Sequence, residues 1–183
     1  MNKRLFLAIP LSTEIQEELG QYKDQLNLQN IRWTQLQNLH ITLYFLGDVE
    51  EKTIPSLIEN LNANFLEVKP FTLKFEKITF APPNKNPRMI WGQFKNNSAY
   101  ESLYKITQKA VANFVTNDIK QNGERNPIPH VTMARFNFLK NAHDIKLQQP
   151  ELPDLIVESC ILMESQLNRN GPTYTNVSTF IFK

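Results

Sequence analysis

The chain has 183 residues, 41% of them hydrophobic and 21% charged, a balance that suits one folded domain with a sizeable core and argues against a disordered chain as the default reading. Its 20 Lys and Arg residues stand against 18 Asp and Glu, and a formal charge of +2 is too small for a protein that coats long nucleic acid, so any such contact is expected to be short and local. A single cysteine, Cys160, permits neither an intrachain disulfide nor a cysteine-based zinc site, which points to a reducing cytoplasm, and no window reaches the roughly 20 apolar residues of a membrane span.

The start of the chain imitates a signal peptide, but its apolar run stops at Pro10 and Glu14 follows, so residues 4 to 9 read as a buried first strand. Leu11, Ile15, Leu19, Tyr22 and Leu26 then share one helical stripe, with Thr13 and Gln16 as its capping box. A second helix is predicted near 53 to 65, carrying Ile54, Leu57, Ile58 and Leu61 inward and Pro55 in its first turn. Residues 71 to 76 alternate as a half-buried strand does, a Pro- and Asn-rich break spans 81 to 87, and 88 to 94 reads as another strand. A helix from Ser98 with Glu101 three residues on should bury Leu103, Ile106, Ala110 and Phe114. Further strands are predicted near 129 to 136, 155 to 164 and 174 to 182. No linker or low-complexity tract divides the chain, which reads as one domain over residues 1 to 183.

An internal echo organises this pattern. His40-Ile41-Thr42-Leu43 in the first half returns as His130-Val131-Thr132-Met133 in the second, and each copy follows a predicted helix, so two similar lobes should face each other. In a strand alternate side chains share a face, which sets His40 with Thr42 opposite Ile41 and Leu43, and His130 with Thr132 opposite Val131 and Met133. One histidine on a strand is ordinarily a hydrogen-bonded structural residue. Two copies weigh differently: with 12 Thr and 3 His in the chain, chance placement of both pairs is on the order of one per cent. The remaining histidine, His143, falls in a polar loop and reads as a surface residue.

Zinc hydrolysis needs about three protein ligands, and neither a His-Glu-x-x-His helix nor an Asp cluster is present. No serine stands in a Gly-x-Ser-x-Gly elbow. Acid and base catalysis by the two imidazoles is what remains, with no metal and no cofactor.

These residues resemble the 2H phosphoesterase superfamily, and particularly the bacterial and archaeal RNA 2′,3′-cyclic phosphodiesterases once called 2′-5′ RNA ligases. The likeness runs through Arg4-Leu5-Phe6-Leu7-Ala8, Arg32-Trp33, His40 to Gly47, Pro87-Arg88-Met89-Ile90-Trp91, Pro129 to Arg135, and Ser165 with Gly171 and Tyr174. One departure precedes the second motif, where Arg125-Asn126-Pro127-Ile128 replaces the more usual Arg-Pro-Phe-x. The resemblance implies an α+β fold of two pseudo-symmetric lobes, each an antiparallel sheet flanked by helices, around a central cleft that carries both motifs.

It further implies His40 as proton donor and His130 as proton acceptor, acting on an RNA end or a small cyclic nucleotide; the chain is expected to be a monomer. Neither strand alone says which histidine is the base. Thr42 and Thr132 would hydrogen-bond the non-bridging phosphate oxygens, and by family precedent the 3′ oxygen leaves to give a 2′-phosphomonoester. Strict alternation turns Arg135 away from Thr132, so a phosphate contact by Arg135 needs a bulge or the strand end. The same alternation keeps Tyr44 on the His40 face, where its ring is expected to bind substrate by stacking on a base, and Phe136 on the His130 face, where the ring could stack or simply fill the core. A 2′-5′ oligonucleotide phosphodiesterase or ligase, a small cyclic-nucleotide phosphodiesterase and a non-catalytic RNA-end binder stay open as alternatives.

Overall fold

The computed structural model describes residues 1–26, 30–82, 86–115, 127–139, 142, 145–168 and 171–183, so His143 and the Arg125-Asn126 pair lie outside the described residues. Strand β1 (Asn2–Pro10) opens the fold with Leu5 to Ile9 all buried, as in a strand covered on both faces. Helix α1 (Thr13–Gln21) buries Ile15 and Leu19, but its cap is Ser12, whose hydroxyl accepts the Ile15 N–H at 3.4 Å, one residue ahead of the expected Thr13 box. β2 (Arg32–Trp33) is a two-residue strand before β3 (His40–Glu50), and α2 (Ile54–Phe65) buries Ile54, Leu57, Leu61 and Phe65.

The alternating run at 71 to 76 is two strands rather than one. It divides at Lys74 into β4 (Phe71–Leu73) and β5 (Phe75–Ala81), which belong to different sheets. After β6 (Met89–Phe94) comes α3 (Ser98–Val111), capped by Asn97, whose side chain accepts the Tyr100 N–H at 2.9 Å. β7 (His130–Arg135) carries the second motif. The run at 155 to 164 also divides, at Glu158, into β8 (Leu155–Val157) and β9 (Ser159–Asn168), and β10 (Gly171–Ile181) pairs back on β9.

The fold is α+β with antiparallel strand pairs. One sheet runs β10-β9-β1-β3-β7-β6-β5 with β2 beside β7, and β4 with β8 makes a second, two-stranded sheet. The internal echo is visible in this order. β1, α1 and β3 form one strand-helix-strand unit, β6, α3 and β7 the other, and in each the His-x-Thr strand returns antiparallel beside the first strand. The units meet where Ile41 of β3 pairs with Val131 of β7. Their helices interlock: α3 packs on β3, and Leu19 of α1 lies so close to Gly92 of β6 that an added β-carbon there would sit 3.4 Å from it. Among the described residues no helix is long and apolar enough to cross a membrane.

Candidate active site

His40 opens β3 and His130 opens β7, and both rings are anchored in the same way. Nδ1 of His40 donates to the Asn38 carbonyl at 2.7 Å, and Nδ1 of His130 donates to the Ile128 carbonyl at 2.7 Å, each two residues upstream. A carbonyl can only accept, so Nδ1 carries a proton in both rings and Nε2 is left for proton exchange. Nε2 of His40 lies 3.0 Å from Thr42 Oγ1. Continuing the Ile41–Val131 register by one residue sets His40 across from Thr132 and Thr42 across from His130.

Aromatic rings on the neighbouring strands steady both imidazoles. Phe6 of β1 lies 5.0 Å from His40, with Tyr174 edge-on at 5.4 Å, while Trp91 of β6 stacks on His130 at 3.7 Å. Burial is the main cause that pushes both imidazoles below the usual histidine range. The upstream carbonyls oppose it, and positive charge adds to it, from His130 and Arg135 at His40 and from Arg135 at His130.

A cleft of about 570 Å³ opens over this face, lined by His40, Thr42 and Thr132 together with Arg4, Arg32 and Arg135, and by no carboxylate among the described residues. His130 is not part of that wall. Arg32 and Arg135 stand directly opposite each other on β2 and β7. Like charges so placed repel, and the side-chain partner of Arg135 among the described residues is the Met89 sulfur at 3.0 Å. Two guanidiniums without a carboxylate beside two imidazoles suit an anion.

Arg135 reaches this face because β7 carries the bulge that such a contact requires. Trp91 pairs with Thr132 and Ile90 with Ala134, so Met133 is an extra residue and alternation restarts after it. Thr34 braces the bulge, its hydroxyl donating to the Thr132 carbonyl at 2.8 Å and its N–H to the Met133 carbonyl at 2.8 Å. Consecutive carbonyls of a regular strand point to opposite edges, so their capture by one residue reflects the local distortion.

A family model described as LigT like Phosphoesterase matches residues 9–91, a span that includes the first motif. A curated relative from Methanocaldococcus jannaschii, named RNA 2′,3′-cyclic phosphodiesterase, is 30% identical over 176 residues, covering 93% of this chain and 96% of its own. The chain belongs to the LigT-like phosphoesterase family. A second relative of the same name, from Aquifex aeolicus, is 30% identical over 97% of this chain and 96% of its own. The crystal structure of E. coli LigT complexed with 3′-AMP superposes with a TM-score of 0.81 over 100% of this chain and 99% of that one at 22% identity, which shows a shared fold.

In this LigT-like phosphoesterase the expected position of Tyr44 needs correction. Tyr44 is 4% exposed and faces the core, with its ring 5.6 Å from Tyr104 of α3. The cause is a bulge in β3: Leu7 pairs with Tyr44 and Ala8 with Thr42, so Leu43 is extra and Phe45, 40% exposed, takes the cleft side instead. Phe136 is also buried, against Phe80. The Tyr44 hydroxyl is buried with no hydrogen-bond partner among the described residues. Tyr44→Phe is therefore expected to hold or raise Tm and leave kcat unchanged, and a fall in kcat with intact Tm would return the hydroxyl to the site.

Three residues of this LigT-like site were not singled out from the sequence: Thr34, Asn38 and Phe45. Asn38, 8% exposed, accepts from His40 through its carbonyl and donates from its side-chain amide to the Pro172 carbonyl at 3.0 Å, tying β10 to the first motif. Nothing local marks it. A signal for Phe45 did exist, since the buried doublets Leu43-Tyr44 and Met133-Ala134 both interrupt alternation one residue after the threonine. Among the described residues no three His, Cys, Asp or Glu side chains gather as a metal site needs.

Proposed function

We propose that this LigT-like phosphoesterase hydrolyses the 2′,3′-cyclic phosphodiester at an RNA end to a 2′-phosphomonoester, with His130 as base and His40 as acid. One observation carries the reading: two imidazoles, each anchored through Nδ1 to a carbonyl two residues upstream, flank two threonines beside a pair of arginines, in a cleft lined by no carboxylate among the described residues. Nε2 of His130 removes a proton from water as its oxygen bonds to phosphorus. The bond from phosphorus to O3′ breaks, and Nε2 of His40 gives that oxygen its proton. Thr42 and Thr132 donate to the non-bridging oxygens, and Arg135 offsets their growing charge.

The lowered imidazole pKa values fit this role because burial and neighbouring positive charge cause them, and a substrate phosphate opposes that charge. Its negative charge favours the imidazolium that the acid step needs. The family resemblance supports the division of roles between the histidines, and the names of the M. jannaschii and A. aeolicus relatives support the substrate. The setting we propose is a monomer, one domain over residues 1 to 183, in a reducing cytoplasm, where the buried thiol of Cys160 has no disulfide to make.

Incubation of the purified protein in EDTA with an RNA bearing a 2′,3′-cyclic end tests this. Full activity and a 2′-phosphate product are expected. A 3′-phosphate product, or activity that returns only with Zn²⁺ or Mn²⁺, would overturn the mechanism. Cleavage of 2′-5′-linked oligonucleotides with the cyclic end untouched would move the chain to another branch of the superfamily.

A further inference from the structure

With a cyclic phosphate beside His40 and Arg135, the cleft still has cationic and aromatic surface that one nucleotide does not use. Phe6 touches the His40 ring, and Arg4 precedes it by two residues on β1, so Arg4 faces the same way about 7 Å further along the strand. The Arg4 guanidinium lies 5.0 Å over the Phe45 ring. Asp48 stands directly across the ladder from Arg4, yet no ion pair joins them, and Arg4 lines the cleft with Phe45. Arg135 adds positive charge at both imidazoles, whereas Arg4, two residues before Phe6 on the strand, stands further along the cleft from them. A single exposed ring is ordinary on a protein surface. A ring capped by a guanidinium that has no ion-pair partner among the described residues, inside a cleft whose lining suits an anion, offers both faces of a nucleotide's chemistry, a plane for the base and a cation for the phosphate.

We propose that Arg4 and Phe45 form a second nucleotide subsite, Phe45 stacking on the base and Arg4 binding the phosphodiester of the nucleotide that precedes the cyclic end. This rests on the phosphodiesterase reading and deepens it: the substrate is an RNA end at least two nucleotides long, not a mononucleoside cyclic phosphate.

The test compares kcat/KM for a mononucleoside 2′,3′-cyclic phosphate with that for a trinucleotide ending in the same cyclic nucleotide. The wild type is expected to favour the trinucleotide by about tenfold or more, and Arg4→Gln and Phe45→Leu are each expected to lower that ratio at least about fivefold, the low end of base stacking on an aromatic ring. Taking the ratio within each variant corrects for any general loss of folded protein. A wild-type ratio near one, or an unchanged ratio in either variant, overturns the subsite. A wild type inert on both substrates would instead sink the phosphodiesterase reading. Binding of a fluorescein-labelled trinucleotide 2′-phosphate then decides the subsite: affinity at least about fivefold weaker in Arg4→Gln supports it, and equal affinity overturns it.

Discussion

His40→Ala and His130→Ala are each expected to lower kcat by at least about 10²-fold while Tm stays close to that of the wild type, because each change removes, from a half-buried sheet face, a ring to which the proposed mechanism gives a proton transfer. Neither ring is part of the apolar core; His40→Ala removes the Nδ1 bond to a backbone carbonyl, the Nε2 contact with Thr42 and the ring contacts with Phe6 and Tyr174, and His130→Ala removes its Nδ1 bond and the stack on Trp91. The wild-type pH profile adds a second expectation with a definite sign. Both imidazoles titrate below the ordinary value of 6.5, so in the free enzyme both are mostly neutral at pH 7. Productive encounter needs one ring protonated and one not, and kcat/KM should therefore peak below pH 6.5 and fall on both sides. In kcat the alkaline limb should move upward, since the bound phosphate stabilises the imidazolium. Near-wild-type turnover in either alanine variant, or a kcat/KM profile that is flat between pH 5 and pH 8, would remove the two-histidine mechanism.

Arg135→Gln is expected to lower kcat/KM by about 10- to 10²-fold, the range of a charge-assisted hydrogen bond to phosphate of roughly 1.5 to 3 kcal/mol. Stability should move the other way or not at all. Arg135 faces Arg32 directly across the β2–β7 pair, and removing one of two opposed like charges relieves a repulsion of roughly 0.2 to 1 kcal/mol. A third readout separates this from a structural role. The charge of Arg135 lowers the pKa of both histidines, so its loss should shift the optimum of kcat/KM to higher pH. A variant that loses activity together with several degrees of Tm, without that shift, would make Arg135 a structural residue of β7.

The two motifs show how far alternation carries a reading of this chain. His40 with Thr42 and His130 with Thr132 lie as period two requires, because no irregularity falls inside either three-residue span. One residue later both strands bulge, at Leu43 and at Met133, and the side chains just beyond, Tyr44 and Phe45 in one strand and Ala134 and Arg135 in the other, change face. That displacement sends Tyr44 into the core and brings Phe45 and Arg135 to the cleft. The repetition of the bulge at equivalent places follows from the pseudo-symmetry, since β1 stands to β3 as β6 stands to β7. A second bulge in β3, at Leu46, passes through Gly47 at φ 74, a conformation that glycine adopts without steric penalty.

Local chemistry was enough to place the helices, most of the strands, the doubled motif and the four side chains at its centre. Apolar periodicity and a repeated His-x-Thr depend only on residues near one another along the chain, and there the physics is short-ranged. Partners distant in sequence decided the rest. Thr34, 98 positions before Thr132, holds the β7 bulge, and Asn38 reaches Pro172 across 134 positions to tie β10 to the first motif. The runs at 71 to 76 and 155 to 164 each read as one strand, yet each divides because β4 and β8 leave the main sheet to pair with each other. Hydrogen-bond partners between strands are chosen by the assembled sheet and leave no mark on local periodicity, which is why the tertiary structure alone set which residues beyond the two motifs face the cleft.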